Sequence, residues 1–128
     1  MPFKLFWEPR RLLVKFAGFM QDADFQRCAE MIQGDERSDT VRRWVYDFSD
    51  VTGSDLTPDT LDLLTAMALG VLTQGPPGCV AVVTKDPGLS QAARMFCSRL
   101  ADLCPAEAFD SLSEAQAWAE GAEMQARC

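Results

Sequence analysis

The sequence predicts an α/β fold built on a mixed, mostly parallel five-stranded sheet with about four helices. Short apolar segments alternate with amphipathic ones in the order β-β-α-β-α-β-α-β-α, and such alternation is typical of parallel sheets with right-handed crossovers. The apolar run 79–84 lies between turn-forming residues, as in a central strand buried on both faces. Sequential strand order would then place the helices mainly on one face.

The first two strands are predicted at residues 3–8 and 11–17. Pro9 lies between them and cannot donate a ladder hydrogen bond, and so short a connection makes the pair an antiparallel hairpin. Gly18 is expected to end the second strand. The first helix opens near Asp22, with an apolar stripe at spacings of three and four, and ends at Gly34. The members of that stripe are Phe25, Cys28, Ala29 and Ile32.

The central stretch contains the third strand, at residues 43–48, and then changes character. Residues 49–57 are mostly Ser, Asp, Thr and Gly, and we interpret them as a loop. Thr57-Pro58 is a helix-start signal, with Thr as N-cap and Pro in the first turn. The longest helix follows at about 58–73. Its predicted core stripe comprises Leu61, Leu64, Ala68, Val71 and Leu72.

The last part of the chain repeats the strand-helix pattern. A turn at 74–78 precedes the fourth strand, and a helix with an inward stripe from Leu89 to Leu100 follows it. A short fifth strand is expected at 107–109. Ser111-Leu112-Ser113-Glu114 matches a capping box that opens the final helix. We expect one domain over residues 1–120 and a frayed tail at 121–128.

Composition excludes several classes of function. The formal charge of −7 over 128 residues argues against nucleic-acid binding. No apolar run approaches the length of a membrane span, and Met-Pro-Phe-Lys lacks the layout of a signal peptide, so we expect the cytoplasm. The chain has no histidine, which removes histidine-based catalysis and histidine metal ligands. Its five cysteines form no C-x-x-C motif, which argues against a thiolate zinc site. Since the chain also has no catalytic motif, we expect no metal, no cofactor and no enzyme activity.

The order of elements resembles the STAS domain of the SpoIIAA type, the anti-sigma-factor antagonists. The residues that carry the likeness are the strand ending at Asp47-Phe48-Ser49-Asp50-Val51-Thr52, the run 80–84, and the segments 93–96 and 109–118. The later segments are most similar to the bacterial SpoIIAA-like branch, within a wider class that includes the CRAL-TRIO lipid-transfer proteins. The resemblance covers nearly the whole chain and implies a β-α superhelix, usually without enzyme activity.

In this family the loop after the third strand carries an Asp-Ser pair, and phosphorylation of the serine switches partner binding. Asp55 aligns with the family aspartate, but Leu56 stands at the serine position. Ser54 or Thr57 would take the phosphoacceptor role only if the register shifts. The predicted partner-binding residues are those of the loop and helix start: Ser49, Asp50, Thr52, Ser54, Asp55 and Thr57.

Three functional alternatives follow. We favour a regulatory module that binds a partner protein, or a second copy of itself as a homodimer, through this loop and the next helix. The second alternative is a carrier or sensor of a small apolar or acyl ligand, as in the lipid-transfer relatives, with a pocket lined by Phe6, Trp7, Trp44 and Met67. The third is an enzyme that uses carboxylates. A structural interpretation also stays open, in which Thr57 only caps the helix and the Ser and Asp residues solvate a turn.

Overall fold

The computed structural model describes residues 2–126, with side chains through Ala122. The strands are β1 Phe3–Glu8, β2 Arg11–Met20, β3 Arg43–Ser54, β4 Cys79–Val83 and β5 Ala106–Phe109. The α-helices are α1 Asp22–Gln33, α2 Pro58–Gln74, α3 Pro87–Leu100 and α4 Leu112–Ala126. A short 3₁₀ helix, Glu36–Thr40, lies in the segment between α1 and β3.

The five strands form one sheet in the order β1-β2-β3-β4-β5. β1 pairs with β2 antiparallel, and the three remaining pairs are parallel, which confirms the predicted mixed sheet. Arg10 takes a positive φ of 67° in the hairpin turn. All five residues of β4 are buried, as expected for an interior strand with helices on both faces.

β2 and β3 are longer than the sequence predicted, and most of the expected loop is strand. β3 runs on to Ser54, so residues 49–54 are not a loop, and β2 runs past Gly18 to Met20. The two extensions pair with each other, with register shifts on either side of the pair Gly18–Val51. Gly18 has a φ of +76°, which glycine adopts without strain. Because residues 49–54 are mostly polar, only their pairing with β2 reveals them as strand.

Three of the four helices lie on one face of the sheet. α1, α2 and α3 are crossovers between parallel strands, so their right-handedness places them together. Their core also contains Leu12, Val14 and Phe16 of β2. α4 lies on the opposite face, which is the exception to the predicted arrangement. It follows the last strand and is no crossover, so handedness does not fix its side.

α4 packs closely on the second face through small residues. Ala115, Ala119 and Ala122 are buried against Cys79, Ala81 and Val83 of β4. The helix continues through Ala126, whereas a frayed tail was expected from residue 121. Residues 127 and 128 lie outside the described part of the chain. Ala122 belongs to the same stripe as Ala115 and Ala119 and is buried, so the packed part of α4 extends past residue 121.

Candidate functional site

The carboxyl ends of β2 and β3 bring together the first turns of α1 and α2. We call this region the corner: residues 49–57 with the first turns of these two helices. Of the predicted binding residues, Asp50, Thr52, Asp55 and Thr57 are exposed, and Ser49 and Ser54 are half-buried. Ser49, Asp50, Thr52 and Ser54 lie on β3. Asp55 and Thr57 belong to the short connection before α2.

Asp22 and Asp55 lock the two helix starts of the corner to each other. The backbone N–H of Asp22 donates to Oδ1 of Asp55 at 2.5 Å, so Asp55 caps α1. In return Oδ1 of Asp22 accepts from the backbone N–H of Thr57 at 2.9 Å, and its Oδ2 accepts from the Thr60 hydroxyl at 2.6 Å. Each carboxylate therefore satisfies donors of the other helix start.

Thr57 is the N-cap of α2, as predicted. Its hydroxyl oxygen accepts from the backbone N–H of Thr60 at 3.2 Å and lies 3.2 Å from Oδ1 of Asp22. The hydrogen bonds from the Thr60 side chain and the Thr57 backbone hold the pKa of Asp22 below its usual value. A negative charge thus already occupies the positive end of the α2 dipole, where an external anion would otherwise bind.

Sequence reasoning did not assign a site role to Asp22. Its position in the first turn of α1 was noticed, but an aspartate there is typical of any helix start. The signal that would have identified it is the pairing of β2 with β3 beyond residue 17, which brings α1 beside α2. Gln26, one turn further along α1, adds a hydrogen bond from Nε2 to the Thr60 hydroxyl at 3.2 Å.

The acidic residues around the corner do not converge. Asp47 is buried, and its Oδ1 accepts from the backbone N–H and the hydroxyl of Ser49 at 3.0 and 2.6 Å. Asp50, Asp55 and Asp59 are exposed. Within residues 2–126, no group of three or more cysteine or acidic side chains could hold a metal ion.

A second feature is an apolar cavity of about 120 Å³ between the sheet and the three helices that share its face. The predicted core stripe of α2 supplies its roof, and α1 and α3 supply its walls. The side chains that β2, β3 and β4 contribute to its floor are Phe16, Trp44, Tyr46, Phe48, Val80 and Val82. No lysine, arginine, aspartate or glutamate lines it.

The cavity exists because α2 rests on its neighbouring helices rather than on the sheet. It packs mainly against α1 and α3, and most of its apolar side chains are only half-buried. Leu64 and Met67 illustrate this, since both face the cavity. Polar contacts hold the helix in place on both sides: Asp22 binds its first turn, and Nη1 of Arg99 on α3 donates to Oδ1 of Asp62 at 2.6 Å.

Few polar atoms border the cavity, and the thiol and the phenol are neutral. Burial raises the pKa of the Cys28 thiol to about 12. Desolvation by burial also raises the pKa of the Tyr46 hydroxyl, and the nearby Cys28 raises it further. The ring of Tyr46 packs edge-on against Phe96 at 6.4 Å between centroids. The cavity therefore presents an uncharged surface to any molecule inside it.

Two of the four residues that were predicted to line an apolar pocket lie at the cavity. Trp44 and Met67 line the cavity, as expected. Trp7 lies elsewhere, with the Arg37 guanidinium 4.5 Å from its ring centroid, and Phe6 is 43% exposed outside the cavity. The two missed positions lie on β1, which the cavity does not reach.

The fold is similar to those of solved structures. The structure of the anti-sigma factor antagonist SpoIIAA in its unphosphorylated form matches with a TM-score of 0.56 and 12% identity, over 90% of this chain and 94% of that one. The fold is SpoIIAA-like. The phosphorylated form of SpoIIAA, the Bacillus cell fate determinant, matches with a TM-score of 0.58 and 11% identity, over 91% of this chain and 97% of that one.

A further match to this SpoIIAA-like fold is an uncharacterized protein of the DUF3478 family from Shewanella loihica PV-4. It matches with a TM-score of 0.55 and 14% identity, over 91% of each chain. No protein-family model and no curated protein matches the sequence. No helix in the described part of the chain is both long and apolar enough to cross a bilayer. The SpoIIAA-like fold predicted from the sequence is thus confirmed, at the level of architecture.

Proposed function

We propose that the chain is a non-catalytic regulatory module that binds a partner protein through the corner and the adjoining part of α2. The observation that carries this proposal is the exposure of Asp50, Thr52, Asp55 and Thr57 at one end of a SpoIIAA-like fold. The matched SpoIIAA structures are those of an anti-sigma factor antagonist, a protein that acts on another protein. The apolar cavity, whose lining has no carboxylate, does not provide the paired carboxylates that the enzyme alternative needs.

The experiment that tests partner binding uses exposed residues that do not hold the corner together. Proteins that co-purify with the tagged wild-type chain are identified by mass spectrometry, and their affinity for the pure chain is then measured. We expect Asp50→Arg and Thr52→Arg each to weaken binding at least about tenfold, as charge reversal or insertion does at a contact. Asp102→Arg is the matched control, because Asp102 is exposed between α3 and the start of β5, at the amino ends of the parallel strands and away from the corner.

Equal binding by Asp50→Arg, Thr52→Arg and Asp102→Arg would refute the corner as the contact surface. A defined partner whose binding is weakened only by Asp102→Arg would place the contact at the amino ends of the parallel strands. Size-exclusion chromatography with light scattering tests the homodimer in the same samples. A dimer that Asp50→Arg or Thr52→Arg dissociates would identify a second copy of the chain as the partner.

Phosphorylation of the corner is part of this proposal. Ser54 and Thr57 stay the candidate phosphoacceptors, and the corner geometry favours Thr57. A phosphoryl group on its hydroxyl would place negative charge beside the carboxylate of Asp22, 3.2 Å away, and repulsion would separate the two helix starts. Intact-mass analysis of the chain from its native host, followed by peptide mapping, would reveal the modified residue. A chain without any phosphoryl group, under all growth conditions, would contradict the switch.

The cavity supports a second function, the carriage or sensing of a small apolar ligand. Its volume of about 120 Å³ and its uncharged lining fit a small apolar molecule. Native mass spectrometry of the purified chain tests this directly, since a retained ligand adds a defined mass. The matched control is Ala68→Leu, which adds atoms inside the cavity and is expected to remove that added mass.

A further inference from the structure

The edge strand β1 carries a symmetric set of side chains on the sheet face that also holds α4. β1 is the first strand of the sheet and pairs with β2. Lys4, Phe6 and Glu8 share one face, because alternate residues of a strand point the same way. Lys4 and Glu8 are exposed, and Phe6 is 43% exposed. The lysine and the glutamate each stand two positions from the phenylalanine, on opposite sides of it.

The outer side of β1 presents the backbone groups of Leu5 and Trp7. The backbone N–H of Ala17 on β2 donates to the carbonyl of Pro2 at 2.8 Å. Hydrogen-bonded positions alternate along an antiparallel pair, so from Pro2 onward the even-numbered residues of β1 bond to β2. The N–H and C=O groups of Leu5 and Trp7 therefore point away from β2, towards the position of a further strand.

The pairing with β2 leaves Lys4 beside a like charge. Lys4 and Lys15 are directly opposite each other, and both are exposed. Like charges at opposite positions of an antiparallel pair are destabilising. Glu8 instead has Arg11 opposite it, with 2.5 Å between Oε2 of Glu8 and Nη2 of Arg11. A negative group on the outer side of Lys4 would offset the repulsion between the two lysines.

We propose that β1 pairs with β1 of a second copy of this chain, antiparallel and across a two-fold axis at Phe6. Leu5 of each copy then exchanges backbone hydrogen bonds with Trp7 of the other. Lys4 of each copy lies opposite Glu8 of the other, and the two Phe6 rings meet at the axis. The two sheets become one continuous sheet. This surface lies outside the corner, so the inference does not rest on the function proposed above.

The side chains select this register among those that the backbone allows. Two-fold pairing through the outward backbone groups can be centred on any residue from Lys4 to Trp7. A centre at Lys4 places two lysines opposite each other. A centre at Leu5 or at Trp7 places a charged residue opposite Phe6. Only a centre at Phe6 pairs lysine with glutamate and one aromatic ring with the other, and both kinds of cross-strand pair stabilise a sheet.

The rows of side chains that cross the joint also match in kind. Leu13 lies opposite Phe6 in each copy, so the central row is apolar from one copy to the other. The row beside it contains, in order, Lys15, Lys4, and then Glu8 and Arg11 of the second copy. Each lysine pair thus gains a neighbouring carboxylate, which is the group that its own chain does not place there.

Complementary charge reversals test the pairing. Lys4→Glu places two glutamates opposite each other at both charged contacts, and Glu8→Lys places two lysines there. We expect each variant alone to dimerise at least about tenfold more weakly than the wild-type chain. An equimolar mixture of the two variants has opposite charges at both contacts of the heterodimer and should recover most of the wild-type affinity. Sedimentation velocity over a range of concentrations measures the wild-type chain, each variant and the mixture.

Matched controls carry the same charge changes elsewhere. Lys85→Glu alters an exposed lysine after β4, and Glu107→Lys alters an exposed glutamate on β5, the opposite edge strand. Neither should change dimerisation. Hydrogen exchange in the wild-type chain gives a readout that needs no variant. The amides of Leu5 and Trp7 should exchange more slowly as the protein concentration rises, and by a larger factor than the amide of Phe6, which already bonds to β2.

The outcomes separate this interface from the corner. A wild-type chain that stays monomeric at high concentration would overturn the proposal and leave Lys4 as a residue that prevents edge pairing, a common role of lysine on edge strands. A dimer that Asp50→Arg dissociates and Lys4→Glu does not would overturn it in favour of the corner. Two weakened variants whose mixture does not recover would refute the register. Should a variant not fold, hydrogen exchange in the wild-type chain still decides.

Discussion

The two faces of the sheet are closed in different ways. On one face α4 lies directly on β4, where alanines pack against Cys79 and Ala81. On the other face α2 presents leucines, a methionine and a valine, yet it rests on α1 and α3 and leaves a cavity above β3 and β4. Small residues allow a close approach of helix and sheet, and large ones hold the helix away unless they interdigitate. The face that is imperfectly filled is therefore the one with room for a ligand.

The strongest test of this difference is the same substitution on both faces. Ala119→Leu inserts a larger side chain where the α4 residue is 1% exposed, and we expect it to lower the free energy of unfolding by about 1–3 kcal/mol. Ala68→Leu adds the same atoms to the cavity and should leave stability unchanged or raise it by about 0.5–2 kcal/mol. Urea denaturation with unchanged m-values measures both, and equal losses would show that the two faces are packed alike.

Thiol labelling compares how readily the helices on each face of the sheet move away and expose a buried cysteine. Cys28 borders the cavity and Cys79 lies beneath α4, and both are nearly inaccessible. If α2 separates from its neighbours more readily than α4 leaves the sheet, a small neutral thiol reagent should modify Cys28 at least about tenfold faster. This ratio corresponds to roughly 1.4 kcal/mol between the two opening equilibria. Peptide mapping of the labelled native chain at successive times gives the rates, and faster labelling of Cys79 would reverse the comparison.

The start of α2 allows a smaller test of how the cavity roof is held. Thr57→Val removes the cap hydroxyl and should lower the free energy of unfolding by about 0.5–2 kcal/mol. Thr57→Ser keeps the hydroxyl and serves as the matched control, with most of the stability retained. Both are measured by urea denaturation. Unchanged stability in Thr57→Val would show that the cap hydroxyl does not contribute.

The dependence of stability on pH gives the smallest expected effect. The hydrogen bonds from Thr60 and Thr57 lower the pKa of Asp22 in the folded chain, and Arg37 lowers that of Asp35. A carboxyl with a lowered folded pKa stabilises the fold above its unfolded pKa of about 3.9, and this contribution is lost as the pH falls through the folded value. Stability should therefore decrease below about pH 4.

Asp22→Asn identifies the share of Asp22 in this loss. The variant should be less stable than the wild-type chain at pH 7, and the difference should shrink as the pH falls. Urea midpoints at several pH values from neutral to acid provide the measurement. Asp35→Asn measures the separate share of Asp35, which interacts with Arg37 rather than with α2. Parallel curves for Asp22→Asn and the wild-type chain would show that the Asp22 carboxylate does not hold the corner.

Much of the fold was predictable because its signals are local. The stripe of Phe25, Cys28 and Ile32, the Thr57-Pro58 helix start and the apolar run of β4 each lie within a few residues, and all three were placed correctly. The partner-binding role of the corner residues stays a prediction. The predicted loop at these residues was wrong for 49–54. These residues form a strand because they pair with residues 17–20 of β2, which are distant in the sequence.

The sequence by itself determined which side chains turn inward, because helix and strand periods decide that residue by residue. Tertiary structure decided how close each inward face comes to its neighbour. The sequence predicts Leu64 and Leu72 as core residues. Only the packing of α2 on α1 and α3 makes their side chains the roof of a cavity. The link between Asp22 and Thr57 likewise joins residues 35 positions apart. Such distances depend on the whole arrangement of packed elements, and no local pattern encodes them.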